Sequence, residues 1–271
     1  MQFIKLFLLA SCLSITNAND GAMEQLITYV NWYADYGEAN PIDSSSYYLT
    51  LSKTRLGKTA EALVIKGACY EHEVAVKFFT IGDNYLREHA AYEALCAIDN
   101  DEVETIGIPK VYYAGLIFGT TGGIVMTLLE ESLHDRWIKQ RKYFETYTIF
   151  QVFLQSVEVL KYMHTKEVVH NDIKPQNIFF RDDKVFIADF DGASTNGIDV
   201  GTRTPQFASS KYWDYIKPSY VDYKPPLVRT AIDDLESLVY SIWYIKGINS
   251  HHMDGFMISN QTYEQNIEYV T

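Results

Sequence analysis

The sequence predicts an α+β protein of two lobes, a small β-rich one followed by a mainly helical one. Three observations carry this. Between residues 47 and 130, short runs rich in Val, Ile, Tyr and Phe are separated by turn residues, which is how antiparallel strands read. After about residue 132 apolar residues recur at helical spacing instead. The chain has 271 residues, 47% hydrophobic and 21% charged, enough for a sizeable core and typical of soluble globular proteins.

The elements follow in order. The opening MQFIKLFLLASCLSITNA has Lys5, a mostly apolar stretch from Leu6 to Ile15, and small residues before a cut after Ala18. Residues 1–18 therefore read as a secretory signal peptide, and the protein as secreted or lumenal in the secretory pathway. Cleavage would remove Cys12 and leave Cys69 and Cys96, whose pairing the sequence leaves open. The sequon Asn260-Gln261-Thr262 would accept a glycan in that compartment. Residues 19–46 read as a leading helix and a linker. Met23, Leu26, Ile27, Val30 and Tyr33 form a helical stripe that packs on the body that follows. Gly37, Pro41 and Ser44-Ser45-Ser46 then break the chain.

The first lobe spans 47–130. Its strands are expected at 47–51, 60–66, 73–80, 110–113 and 123–129. A helix over 86–98 carries Leu86, Ala90, Leu95 and Ile98 as its apolar positions. The second lobe spans 131–271. A long helix is expected over 144–164, with Phe150, Phe153, Leu154, Val157, Leu160 and Met163 as its stripe, and another over 231–245.

Charge and cysteine content narrow the function. A net charge of −12 argues against nucleic-acid partners and anionic membrane surfaces, which need clustered Lys and Arg. Three cysteines are too few for a disulfide scaffold. No internal run reaches the roughly 18 apolar residues of a membrane span.

The chemistry is concentrated after the long helix, in His170-Asn171-Asp172-Ile173-Lys174-Pro175-Gln176-Asn177. Twelve residues past Asn177 stands Asp189, followed by Phe190, Asp191 and Gly192. Upstream, Val74-Ala75-Val76-Lys77 lies in an expected strand. Singly these residues have plain roles: a solvated charge for a lone Lys, a packed ring for His170. As an ordered set they match a catalytic loop, a metal-binding Asp-Phe pair and a strand lysine. On these motifs the chain resembles a eukaryotic protein kinase.

The resemblance implies a bilobal protein-kinase-like fold with a small antiparallel β-rich first lobe and a shortened, mainly helical second lobe. It implies Mg²⁺-ATP as the phosphoryl donor and a Ser or Thr hydroxyl of a protein as the acceptor. Asp172 would accept or orient the proton of that hydroxyl. Lys174, typical of Ser/Thr kinases, would touch the transferring phosphate. Asn177 and Asp189 are oxygen ligands suited to Mg²⁺. Lys77 would pair with the α- and β-phosphates, held by an ion pair with Glu88; Glu93 is the alternative partner. His170 and Asp234 would be structural, Asp234 holding the backbone of the catalytic loop.

Val125 to Asp135 and Asp233-Asp234-Leu235-Glu236-Ser237-Leu238 resemble casein kinase 1 and its vaccinia-related relatives. That likeness makes Met126 the gatekeeper behind the adenine and gives Leu128 and Leu129 the hinge contacts to the base. Leu56, Gly57 and Val64 would close over it from above, and Ala75 would line the roof. Thr204 matches the threonine that contacts the catalytic loop near the acceptor.

The departures from the family pattern point to a second function class. The loop expected to be rich in glycine reads Gly57-Lys58-Thr59-Ala60-Glu61-Ala62, and keeps one glycine of three. Thr59 and Ala62 can still offer backbone N–H groups, but a Cβ makes close approach to phosphate harder. Glu61 is unhelpful beside phosphates unless it points away. Asn171 replaces the loop arginine, so activation by a phosphorylated residue pairing there is not expected. Asp191 takes the place of the glycine after Asp189-Phe190. Only 37 residues follow Asp234, fewer than the late helices of the second lobe need. The alternative to an active kinase is a secreted pseudokinase acting as a binding or scaffolding module.

Overall fold

The computed structural model describes residues 19–37, 40–42, 44, 46–195, 197–198, 204–216 and 225–248. The signal-peptide segment 1–18, Asn260 and the stretch from 249 onward, on which the expectation of a shortened second lobe rests, lie outside the described residues. The chain divides into two compact units, the first ending at Leu129 and the second beginning at Glu130.

The first unit contains α1 (Asn19–Tyr36), β1 (Leu49–Lys58), β2 (Ala62–Cys69), β3 (His72–Phe79), α2 (Gly82–Ala94), the short α3 (Glu102–Ile106), β4 (Val111–Ile117) and β5 (Thr121–Thr127). The five strands form one antiparallel sheet in the order β1-β2-β3-β5-β4. β1 runs well beyond its expected end, through Ser52 to Lys58. That stretch lacks apolar alternation because its side chains are largely exposed, yet the backbone still pairs with β2, with register shifts around Arg55.

β3 is buried on both faces from Val74 to Phe79. Successive side chains of a strand point to opposite faces, so Val74, Val76 and Phe78 share one face and Ala75, Lys77 and Phe79 the other. The first set packs with Leu63, Ile65 and Val125 against Met23, Leu26, Ile27 and Val30 of α1. The second set includes Lys77, which meets Glu88 of α2. The sheet is thus layered between α1 and α2. Gly67 of β2 is required by close approach: a Cβ there would lie 2.7 Å from the Thr50 carbonyl oxygen and 3.1 Å from a Val76 methyl.

α2 lies four residues earlier than expected and buries a different face. Asn84, Glu88, Ala91 and Tyr92 are buried, followed by Leu95, whereas Leu86 is 60% exposed and Ile98 is also exposed. The buried face thus combines the apolar Ala91, Tyr92 and Leu95 with Glu88, which pairs with Lys77.

The second unit contains β6 (Glu131–Ser132), α4 (Leu133–Lys139), α5 (Thr146–Thr165), β7 (Ile178–Arg181), β8 (Lys184–Ile187), α6 (Ser210–Ile216) and α7 (Ala231–Lys246), with single 3₁₀ turns at Phe190–Gly192 and Pro205–Phe207. β6, β7 and β8 form a small sheet in that order. α5 packs on α7 and β8. Its buried face is Ile149, Val152, Ser156, Val159, Leu160 and Met163, while Phe150 and Leu154 of the expected stripe are exposed. Leu160 and Met163 are buried as expected, whereas in the earlier turns the buried positions fall one residue before the expected ones, roughly 100° around the helix. α5 is apolar on more than one side, so spacing alone does not choose the face; Ser156, fully buried, marks the side of close approach. α7 begins at the expected residue, with a capping box between Thr230 and Asp233, and ends at left-handed Gly247. The α+β composition predicted from sequence, strands first and helices second, is the one observed.

Candidate active site

In the first unit the candidate residues lie on the middle of the sheet. Lys77 stands on β3 between Val64 of β2 and Ile124 of β5. Its ammonium lies 2.5 Å from Glu88 Oε2, with both side chains almost completely buried. Glu93, the other candidate partner, is 60% exposed and faces His89 instead. Removing one member of a buried pair leaves an uncompensated charge, so each side chain holds the other in place. Ala75 pairs with Met126 across the β3–β5 ladder, and the Tyr92 hydroxyl donates to Met126 Sδ at 3.5 Å. Gly57 pairs with Val64; Val64 is half-buried and Leu56 is 44% exposed. Leu128 and Leu129 follow β5 as half-buried residues.

The turn between β1 and β2 differs from expectation. Neither Thr59 nor Ala62 has a backbone N–H to offer. Thr59 N donates to the Ala62 carbonyl at 2.9 Å, and Ala62 N donates to Thr59 Oγ1 at 2.9 Å. A hydroxyl at this position competes for the donors a glycine would leave open. The Glu61 carboxylate is directed to Asn84 Nδ2 on α2.

In the second unit the loop from His170 to Asn177 is held from beneath by α7. Fully buried Asp234 accepts from His170 N (Oδ2) and Asn171 N (Oδ1), both at 2.8 Å, and from His164 Nε2 at 2.9 Å. His170 is buried against the ring of Phe190, its Nε2 3.2 Å from the Ala188 carbonyl. Asn171 donates through Nδ2 to the Gly192 carbonyl at 3.0 Å and to Ser194 Oγ at 3.1 Å. Val169 and Ser194 exchange a pair of backbone hydrogen bonds beside it, each 2.9 Å.

Above that floor, four side chains converge. Lys174 Nζ donates to Asp172 Oδ2 at 2.6 Å and to Thr204 Oγ1 at 3.0 Å. Thr204 N donates to Asp172 Oδ1 at 3.1 Å. Asn177 Nδ2 donates to the Asp172 carbonyl at 3.0 Å. Asn177 precedes β7 and Asp189 follows β8; Ala188 N donates to Asn177 O at 3.1 Å, so the two residues leave neighbouring strand ends. Asp189 takes a left-handed backbone, φ 71°, before the Phe190–Gly192 turn.

The oxygen chemistry of Asn177 and Asp189 suits a divalent metal ion. Asn177 engages the loop through its amide nitrogen, and a metal ion would be held by its amide oxygen together with the Asp189 carboxylate. Among the described residues no cluster of three or more His, Cys, Asp and Glu forms a cage.

Sequence reading missed Thr80, Asn84 and Ser194. Each acts by a hydrogen bond to a residue distant in the chain, and no local pattern marks any of them. Cys69 and Cys96 are not joined: Cys69 is buried in β2 and Cys96 lies at the surface.

Comparison with known proteins places this geometry. Residues 53–225 match the protein kinase domain family. The casein kinase 1-like protein HD16 of Oryza sativa subsp. japonica is 27% identical over 161 residues, covering 51% of this chain and 21% of that protein. A non-specific serine/threonine protein kinase of Candida glabrata is 32% identical over 154 residues, covering 55% of this chain and 10% of that protein. The serine/threonine-protein kinase nekl-2 of Caenorhabditis elegans is 28% identical over 142 residues, covering 48% of this chain and 39% of that protein. The chain therefore spans between 10% and 39% of the length of these curated relatives. With well over half of its residues in the match, running from β1 past the Asp172 loop, the chain belongs to the protein kinase domain family.

Proposed function

We propose that this chain is a serine/threonine protein kinase of the casein kinase 1-like type, moving the γ-phosphoryl group of Mg²⁺-ATP to a protein hydroxyl. The hydrogen-bonded set of Asp172, Lys174, Asn177 and Thr204 carries the proposal. The acceptor hydroxyl donates to the Asp172 carboxylate, which takes its proton as the oxygen forms a bond to Pγ. The bond from Pγ to the β–γ bridging oxygen breaks, and ADP leaves with the electron pair. Lys174 bridges Asp172 and Thr204 and lies within reach of an oxygen on the group in transit. Lys77, fixed by Glu88, neutralises the α- and β-phosphates. A bound Mg²⁺, held by Asn177 and Asp189, supplies charge neutralisation at the phosphates. The casein kinase 1-like assignment draws on the Asp233–Leu238 segment and on the printed name of the rice relative. We read residues 1–18 as an export signal, so that the mature chain begins near Asn19; N-terminal sequencing of secreted protein tests this.

A second reading, a kinase-fold module that binds nucleotide without useful transfer, is favoured by the closed turn at Thr59. Transfer of labelled γ-phosphate to casein separates the two. Wild-type protein is expected to label the acceptor, and Asp172→Asn to lower the rate by at least about a hundredfold, the scale of a lost general base. Equal label from both proteins, each shown to be folded, would leave the second reading standing.

A further inference from the structure

The β1–β2 turn is closed by its own threonine. The Thr59 hydroxyl accepts from Glu61 N at 3.2 Å and from Ala62 N at 2.9 Å, while Thr59 N donates to the Ala62 carbonyl. The tip is also pinned from outside. Thr80 donates to the Glu61 carbonyl through both N, at 2.9 Å, and Oγ1, at 3.0 Å. The Glu61 carboxylate accepts from Asn84 Nδ2, and Asn84 Oδ1 accepts from Arg87. Asn84 is 6% exposed and lies one helical turn before Glu88. A turn binds phosphate when successive backbone N–H groups point outward together. Here two of those donors are directed inward to one side-chain oxygen, and a carboxylate stands between them and α2.

We propose that Thr59 sets the nucleotide preference of this chain. By closing the turn it withdraws the Glu61 and Ala62 N–H groups from the triphosphate, so ATP gains little affinity over adenosine from the loop. Thr80 and Asn84 keep the turn closed. The proposal rests on the nucleotide reading above and deepens it: this member of the family recognises its nucleotide through the base and Lys77, with the loop as a lid of fixed shape.

The test is calorimetric titration of the full chain with ATP and with adenosine, each with and without Mg²⁺. Four proteins are compared: wild type, Thr59→Ser, Thr59→Val and Thr59→Gly. Wild type and Thr59→Ser, which keeps the hydroxyl, are expected to show the same small ratio of ATP to adenosine affinity. Thr59→Val, equal in shape without the hydroxyl, and Thr59→Gly are expected to raise that ratio about tenfold, the factor for one hydrogen bond to a charged group. Adenosine affinity should be equal in all four, which reports an intact fold. A ratio that stays constant or falls in Thr59→Val and Thr59→Gly, with adenosine binding intact, overturns the proposal. If neither ligand binds any of the four, the nucleotide reading fails and the proposal with it. If the ratio rises as expected in protein that transfers no phosphate, the role of Thr59 stands and transfer alone is lost.

Discussion

Asn171 shows how one residue can take over work that a charged residue would do elsewhere. Its backbone is left-handed, φ 68°, a conformation that costs most residues about 1–2 kcal/mol but that Asn tolerates. Its buried amide ties the catalytic loop to Gly192 and Ser194 with neutral hydrogen bonds. These bonds join the catalytic loop to the turn that follows Asp189 without using a charged side chain. Asn171→Ala loses both hydrogen bonds and the favourable backbone, and is expected to destabilise the protein by about 2–4 kcal/mol. Asn171→Gly recovers the backbone part and should fall between the two. Urea unfolding of the three proteins checks the order; an alanine variant as stable as wild type would refute it.

At the scale of elements, α7 does the anchoring. Asp233 closes its first turn and Asp234, the next residue, holds the catalytic loop. Burial alone would raise the Asp233 carboxyl. Hydrogen bonds from Ser209 and from Thr230, with the nearby charge of Arg229, outweigh it and hold the group below its usual range. A depressed value in the folded state means that the stabilisation is complete above the unfolded value, about 3.9, and is lost as pH falls through the folded value. Wild-type protein should therefore lose stability below about pH 4. Asp233→Asn should be less stable at pH 7 and should show a flatter decline in the acid range, followed by circular dichroism. Parallel acid curves for the two proteins would contradict this. The same helix illustrates what is legible locally. Thr230, Asp233 and Gly247 mark both its ends in the chain, and it begins where the sequence says. α2 and α5 carry no such marks, and their buried faces depend on what packs against them.

At the scale of the molecule, α1 is an element that precedes the family match. It precedes residue 53, yet Met23, Leu26, Ile27 and Val30 are all buried and belong to the core of the first unit. Burying four such side chains contributes about 6–12 kcal/mol. That is comparable with the entire stability of a typical domain, about 5–15 kcal/mol. Deleting residues 19–36 should therefore abolish cooperative unfolding of the first unit and expose an apolar sheet face that binds a hydrophobic dye. A truncated protein with the wild-type melting midpoint would show that α1 is only an appendage.

The sequence by itself determined the protein's class, because the kinase motifs are linear. The loop from His170 to Asn177, Asp189 and Lys77 are recognised by residue type and order, and short runs rich in Val, Ile, Tyr and Phe located all five strands of the first sheet. Only the tertiary structure decided which atoms meet. Glu88 and Glu93 lie about 140° apart around one helix, and β3 selects the first. Leu86 and Phe150 read as core and are exposed, because packing partners choose the face of a helix that is apolar on several sides. Thr59 reads as a degraded glycine and is instead the bond that closes a turn. Spacing along a chain sets periodicity and local conformation, whereas a hydrogen bond or an ion pair between elements depends on their mutual placement, which the chain acquires only on folding.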